Sequence, residues 1–260
     1  MTDIYDDPWA YELACSFRDV PAEVGVLLGW CARHRTGYGP VRTVLELAAG
    51  PAEHAREFAR RGPAATALDL HPAMCAYAAR AAKDAGVELE VVQDDMTTFA
   101  LGRRFDLVVT MLDSTSHLMT LDAFTAHLDR AAAHLAPGGL YIVEMSHPRD
   151  RLGDAPSVST DWTVERGGTH ATVRWGEPSD RLDPVTQIAD DHVTMTVTED
   201  GGAPRVIRDV VPYRFWTATE LAAAVRLSGA LEPVGRYGDF ADIALDDPAA
   251  WRMITVFRAR

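Results

Sequence analysis

The spacing of apolar residues changes several times along this chain, and the changes divide it. From about Pro8 to Arg35 they recur every three or four positions, with Val24, Leu27, Leu28 and Cys31 on one face. That predicts two helices, with Pro21 at a first helical position between them. Val44-Leu45-Glu46-Leu47 is a short buried-strand run broken by one acid. It stops in the small-residue turn Ala48-Ala49-Gly50-Pro51-Ala52, and a helix is predicted from Pro51 to Arg61. Further strand runs follow at Ala65–Leu68, Leu89–Val92, Phe105–Leu112 and Leu140–Met145, with helical periods between them. The last of these helices starts at Thr120 and carries Leu121, Phe124, Leu128 and Leu135 on one face, until Pro137-Gly138-Gly139 breaks it. Five strands alternating with helices predict a parallel α/β sheet.

From about Ser159 to Arg214 the helical period disappears. Trp162-Thr163-Val164 and Ala171–Trp175 flank Gly167-Gly168 as in a hairpin, His192–Val197 alternates, and Val206-Ile207 and Val210-Val211 lie beyond Gly201-Gly202. This is an antiparallel insert of three or four strands. Thr217-Ala218-Thr219-Glu220 then fits a capping box and restarts the α/β pattern. Leu231–Tyr237 and Trp251–Phe257 read as an antiparallel hairpin that closes the sheet.

The polar residues at the strand ends carry the chemistry. A dinucleotide turn wants three glycines and a helix N-terminus for a pyrophosphate. This turn has Gly50 alone and the acid Glu46 just before it, which favours a ligand bearing positive charge, such as S-adenosylmethionine. Asp69 follows the second strand, about 20 residues on, where doubly wound folds place an acid for the ribose hydroxyls. It could also cap the helix that Pro72 begins. Past the third strand, Asp95 could accept the adenine amino group or cap a turn, with Met96 against the ring. Asp113–His117 and Ser146–Asp150 lie beyond the carboxyl ends of the fourth and fifth strands, the ligand end of an open α/β sheet. Tyr5, Trp9, Tyr11 and Phe17 crowd the start of the chain, as packing or as a lid.

Composition narrows the partners. The formal net charge of −13 over 260 residues argues against nucleic-acid or anionic-membrane binding. The three cysteines form no C-x-x-C pair, and no metal-ligand spacing appears. The first residues lack a signal-peptide pattern, and no apolar run reaches the roughly 18 residues of a membrane span. A cytoplasmic location is the resulting expectation.

Glu46–Ala52, Asp69, Asp95-Met96, Phe105-Asp106-Leu107-Val108 and Pro137-Gly138-Gly139 come in order at fitting intervals. Together they resemble the class I S-adenosylmethionine-dependent methyltransferases, best over residues of about 40 to 146. One departure is the usual glycine run, reduced here to Gly50 with alanines at Ala48 and Ala52. The resemblance implies a seven-stranded Rossmann-like sheet of order 3-2-1-4-5-7-6, with strand 7 antiparallel and helices on both faces. It implies a single domain over 1–260, built from a core of about 40–150 and 215–260, an N-terminal helical lid of about 1–38 and a substrate-covering insert of about 158–214. S-adenosylmethionine would lie against Glu46, Ala48, Gly50, Asp69, Leu70, Asp95, Met96, Met111 and Leu112, with Glu46 serving its cationic end. The reaction implied is methyl transfer to an N or O atom of a small molecule in secondary metabolism, by a monomer or homodimer. Cyclisation or rearrangement chemistry, or binding without catalysis, are the alternatives. An amine acceptor needs only to be neutral, whereas a hydroxyl wants a base. His147 and His117 are the candidate bases, with His147 preferred. Tyr5, Tyr11, His192, Arg214 and Trp216 are the candidates for acceptor contacts.

Overall fold

The computed structural model describes residues 3–35, 37–152, 159–199 and 201–260, so the expected insert boundary at 158 lies outside the described residues. A 3-10 turn (Ile4–Asp6) leads into α1 (Pro8–Ala14) and α2 (Val20–His34). The Asp7 and Asp19 carboxylates accept from the Ala10 and Ala22 N–H groups, and Pro8 and Pro21 stand in first turns, where an N–H has no helical partner. The core follows as β1 (Thr43–Leu47), α3 (Glu53–Arg60), β2 (Ala64–Asp69), α4 (Pro72–Asp84), β3 (Leu89–Gln93), β4 (Phe105–Thr110), α5 (Leu121–Ala133), β5 (Leu135–Ser146) and the short α6 (Arg149–Leu152). The insert is β6 (Thr160–Arg166), β7 (Thr169–Trp175), β8 (Ile188–Glu199) and β9 (Arg205–Arg214). Then come α7 (Ala218–Ser228), started by the expected Thr217–Glu220 capping box, β10 (Leu231–Tyr237) and β11 (Arg252–Ala259).

The large sheet runs β10-β11-β5-β4-β1-β2-β3. Strands β1 to β5 pair in parallel, and β11 is antiparallel to both β5 and β10. Leaving out the insert strands, this is the expected 3-2-1-4-5-7-6 order. Alternation along the strands sorts the core. Val44, Leu107, Val109, Leu140, Ile142 and Ile254 face α2 and α3, while Leu45, Leu47, Val108, Tyr141, Val143 and Met253 face α5 and α7. By the same alternation Glu46, Glu144 and Arg252 share the α2/α3 side.

Two element boundaries differ from expectation. Helix α3 begins at Glu53, because Ala52 is still in the turn with φ 59°, so Pro51 is a turn residue and not a first helical one. Leu135 is not on a helix face: β5 starts there, and the Pro137-Gly138-Gly139 break falls inside the strand. The pairing shifts from Phe105↔Leu135 to Leu107↔Leu140, so the extra residues bulge. Glycine is required at 139, where a Cβ would lie 2.8 Å from the Phe105 carbonyl oxygen.

The insert strands form a separate antiparallel sheet, β6-β7-β8-β9. One face packs on the N-terminal segment. Ile4, Ala10, Leu13 and Ala14 are buried with Ala171, Val173, Val193, Met195 and Val211 in a third core. The Trp162 indole N–H donates to the Ala14 carbonyl at 2.8 Å, the Ile4 N–H to Asp209 at 2.9 Å, and Arg205 pairs with Asp7. The aromatic N-terminus and the insert are thus one packed layer above the carboxyl ends of the large sheet.

Candidate active site

A cavity of about 1140 Å3 lies between the strand ends and this layer. Its floor is the β1–α3 turn. Ala48, Gly50 and Ala52 all hold positive φ (51°, 54° and 59°), so the chain reverses with almost no side-chain bulk. The turn is tied to the end of β2: the Gly50 N–H donates to Asp69 Oδ2 at 2.7 Å, and the His71 N–H to Oδ1 at 2.8 Å. Each Asp69 oxygen keeps a second acceptor site. Desolvation raises the Asp69 pKa, and those two N–H groups restrain the rise. Asp95, held by the Thr97 N–H and hydroxyl at 2.7 Å, lines the wall with Met96, Leu70, Met111 and Leu112. At the end of β4 the chain turns through Leu112 (φ 52°) and Asp113 (φ 57°), a second pair of left-handed non-glycine residues at the same cavity.

Behind the floor runs a buried chain of alternating charges. Glu46 Oε2 accepts the Ala55 N–H at 2.7 Å, and its Oε1 lies 3.5 Å from His54 Nδ1. His54 Nε2 is 2.8 Å from Glu23; Arg18 bridges Glu23 (2.7 Å) and Glu144 (2.8 Å); Arg252 meets Glu144 at 2.9 Å. Glu144 also accepts the Leu112 N–H at 2.9 Å, which fixes the β4 turn. Burial alone would make Glu144 a weaker acid, but Arg18 and Arg252 overrule it and hold its pKa at about 2. Burial likewise opposes charge on His54, yet Glu23 and Glu46 raise it to about 9. Every buried charge here has an opposite neighbour, the condition under which burying charge is tolerable.

The far wall is polar. Asp113 Oδ2 accepts from the Ser146 hydroxyl at 2.6 Å and the Tyr213 hydroxyl at 2.9 Å. Desolvation raises Asp113 to about 6, against the pull of those donors and of Arg252. Asp150, Arg151, Asp191 and Trp175 complete this side, with Arg151 on Asp191 at 3.0 Å. His117 lines the cavity between the two halves, 3.1 Å from the Tyr5 hydroxyl, and desolvation lowers its pKa. Among the described residues, no group of three or more His, Cys, Asp or Glu is placed to hold a metal ion.

Of the residues expected at the site, Glu46, Ala48, Gly50, Asp69, Leu70, Asp95, Met96, Met111, Leu112, His117, Tyr5 and Tyr11 all line this cavity. Glu46 does so with its carboxylate turned to Ala55 and His54, a bracing of the turn from within. Four others do not line it. His147 is buried, its Nε2 is 2.9 Å from the Leu245 carbonyl, and its Nδ1 accepts the Arg149 N–H at 3.1 Å. Both ring nitrogens are engaged, so it ties β5 to the β10–β11 connection and cannot serve as the base. His192 lies on the outer face of the insert, 2.7 Å from Asp180. Arg214 donates to the Met119 carbonyl at 2.8 Å and stacks over Trp216, whose indole donates to Leu118 within the α5/α7 core. Asp113, Ser146, Tyr213 and Arg18 line the cavity without having been expected there. Asp113 and Ser146 stand in post-strand loops the sequence does mark, whereas no sequence signal fixes which face of β9 Tyr213 occupies.

The cavity suits a sulfonium-bearing nucleoside. The Ala48–Ala52 turn admits close backbone approach, and Asp69 offers paired acceptors for a diol. A sequence family described as "Methyltransferase domain" matches residues 44–139. The dTDP-3-amino-3,4,6-trideoxy-alpha-D-glucopyranose N,N-dimethyltransferase of Streptomyces venezuelae is 30% identical over 187 residues, covering 72% of this chain and 74% of that protein. The dTDP-3-amino-3,6-dideoxy-alpha-D-glucopyranose N,N-dimethyltransferase of Streptomyces fradiae is 35% identical over 130 residues, about half of each chain (50% and 49%). Among solved structures, DesVI of Streptomyces venezuelae superposes with a TM-score of 0.78 at 22% identity, over 95% of this chain and 97% of that one. A methyltransferase structure from Clostridium acetobutylicum has the same TM-score of 0.78 at 16% identity, over 98% and 96%.

Proposed function

This chain belongs to the S-adenosylmethionine-dependent methyltransferases, and on that premise we propose that its acceptor is the amino group of a nucleotide-linked amino sugar. S-adenosylmethionine supplies an electrophilic methyl on a sulfonium whose thioether leaves readily. The protein therefore has mainly to align two ligands and keep water out. In this reading Asp69 takes the ribose hydroxyls, Asp95 and Met96 hold the adenine end, and the Ala48–Ala52 turn, braced by Glu46, accommodates the methionine part. Met111 and Leu112 flank the sulfonium. The 3–35 segment and the 159–214 insert form the lid over the acceptor, with Tyr5, Tyr11 and His117 contacting it. The enzyme acts in the cytoplasm, as a monomer or homodimer, on a small molecule and not on nucleic acid, in keeping with its net charge of −13.

The observation that carries this reading is the single cavity running from the small-residue turn to the insert wall. At about 1140 Å3 it slightly exceeds the usual range for one small ligand, roughly 300–1000 Å3, and so has room for cofactor and acceptor together. The relatives named for amino-sugar methylation point to the same acceptor class. The test is calorimetry with S-adenosylmethionine and S-adenosylhomocysteine, followed by product assays with dTDP-linked amino sugars. Intact protein binds both ligands and releases S-adenosylhomocysteine only with acceptor. Asp69→Ala weakens cofactor binding at least tenfold, as expected for loss of charge-assisted hydrogen bonds worth about 1.5–3 kcal/mol. Transfer to hydroxy sugars but to no amino sugar would overturn the acceptor assignment. Unchanged affinity in Asp69→Ala would overturn the ribose assignment.

A further inference from the structure

His147, His117, Asp191 and Asp113 are ionisable groups at or near the cavity, and what already holds each of them separates the four. His147 has no free ring nitrogen. His117 shares its Nε2 with the Tyr5 hydroxyl of the N-terminal segment. Asp191 is committed to Arg151 at 3.0 Å. Asp113 differs in placement. It comes two residues after Met111, at the end of the central strand β4, where the left-handed pair Leu112-Asp113 turns the chain at the cavity.

Two donors from two elements hold its carboxylate on Oδ2: the Ser146 hydroxyl from β5 and the Tyr213 hydroxyl from β9 of the insert. A carboxylate has about four acceptor sites, so two donors on one oxygen fix its direction and leave acceptor capacity for a ligand. The charges around it are Arg252 from β11, whose guanidinium is bound to Glu144 at 2.9 Å, and Arg151 from α6, which lies over the Tyr213 ring at 5.1 Å and pairs with Asp191. Neither arginine hydrogen-bonds Asp113, so among the described residues no cation is hydrogen-bonded to its carboxylate.

We propose that Asp113, oriented by Ser146 and Tyr213, is the catalytic residue that binds the acceptor's ammonium group and removes its proton. This rests on the amine-acceptor reading above. One N–H bond of the ammonium breaks and an O–H bond forms on Asp113, leaving a neutral amine. The freed lone pair then forms the N–C bond to the methyl while the S–C electron pair stays on sulfur. The product leaves as a methylated ammonium, and Asp113 gives its proton to water once the cavity reopens. The raised proton affinity of Asp113 fits it to this exchange near neutrality, because a weakly basic carboxylate would not hold the proton. Tyr213 is a positioning residue: it belongs to the insert, so a carboxylate in the sheet is aimed by the layer that covers it.

The test compares wild type, Asp113→Asn and Tyr213→Phe, using a dTDP-linked 3-amino sugar and its 3-hydroxy counterpart as probes. In Asp113→Asn, kcat/KM for the amine falls 100-fold or more, the scale of general-base contributions of about 10²–10⁴. S-adenosylhomocysteine affinity stays within twofold, which shows that the variant is folded. In Tyr213→Phe the carboxylate loses a donor to its charged form, so the acidic limb of the pH–rate profile moves upward. Binding in the presence of S-adenosylhomocysteine provides a readout without turnover. Wild type prefers the amino over the hydroxy probe at least tenfold, and Asp113→Asn erases the preference. If Asp113→Asn keeps both its rate and its preference, the assignment is overturned while the amine reading stands. If wild type itself shows no preference and no amine turnover, both fall.

Discussion

Alanine at positions 48 and 52 is the main local departure from the glycine-rich turn that this family leads one to expect. Both residues adopt the left-handed backbone that glycine would adopt at no cost, with φ of 51° and 59°. The chain makes the turn with alanines and bears the strain, about 1–2 kcal/mol for each non-glycine residue in that region. Part of the compensation is visible: the Ala49 N–H donates to the Leu68 carbonyl and the Gly50 N–H to Asp69, pinning the turn to β2. Ala48→Gly should therefore raise the melting temperature by about 2–4 °C, a gain of roughly 1 kcal/mol for a chain of this size. Cofactor affinity by calorimetry should be retained. A lower melting temperature would mean that unfolded-state entropy outweighs the strain. Strain at Leu112 and Asp113 differs in kind, since their side chains face the cavity and glycine would discard the proposed chemistry with the strain.

Strand ends proved more legible than side-chain direction. Apolar runs, small-residue turns and post-strand acids located β1 to β5 and the mouth of the cavity, because burial period and turn chemistry are local properties. His147 and His117 both follow strands, and nothing local separates them. What does is Leu245, nearly a hundred residues on, whose carbonyl captures one and not the other. The insert is similar: its alternation predicts strands, but whether His192 or Tyr213 faces inward depends on which sheet face meets Ile4, Leu13 and Ala14. That contact joins the N-terminal segment to the insert, the two parts of the proposed lid. With Trp162 bonded to Ala14, Ile4 to Asp209 and Arg166 to Glu12, α1 and β6–β9 should move as a unit. In hydrogen exchange, amides of α1 and of β6–β9 should gain protection together when S-adenosylhomocysteine and acceptor bind. Protection of one without the other would show that they open separately.

Over the whole molecule, buried ionisable groups make stability depend on pH in two opposed ways. His54, held between Glu23 and Glu46, binds its proton more tightly in the fold, with a pKa of about 9. Its contribution is full below the unfolded value of about 6.5 and is lost as pH rises through about 9. Burial pushes His127 the other way, to about 4, against the Met96 carbonyl that favours its charge. It is 2.6 Å from the Tyr141 hydroxyl and contributes fully above about 6.5, losing that as pH falls through about 4. Glu144, at about 2, loses its contribution only in stronger acid. On the account of His54 the thermal-stability profile should therefore decline on the alkaline side of about pH 6.5, before any lysine or tyrosine titrates. His54→Gln keeps a ring-sized polar group but no charge, leaving Glu23 and Glu46 without their shared partner. It should lower stability by about 3–5 kcal/mol at neutral pH, the scale for breaking a buried ion pair, and flatten the decline between about pH 6.5 and 9. The acid limb, which belongs to His127 and Glu144, should remain. A variant that unfolds along the wild-type alkaline limb would place that proton elsewhere. Since His54 links Glu46, under the turn proposed to hold the cofactor, through Glu23 to Arg18, cofactor affinity should weaken over the same alkaline window in wild type and lose that pH dependence in the variant.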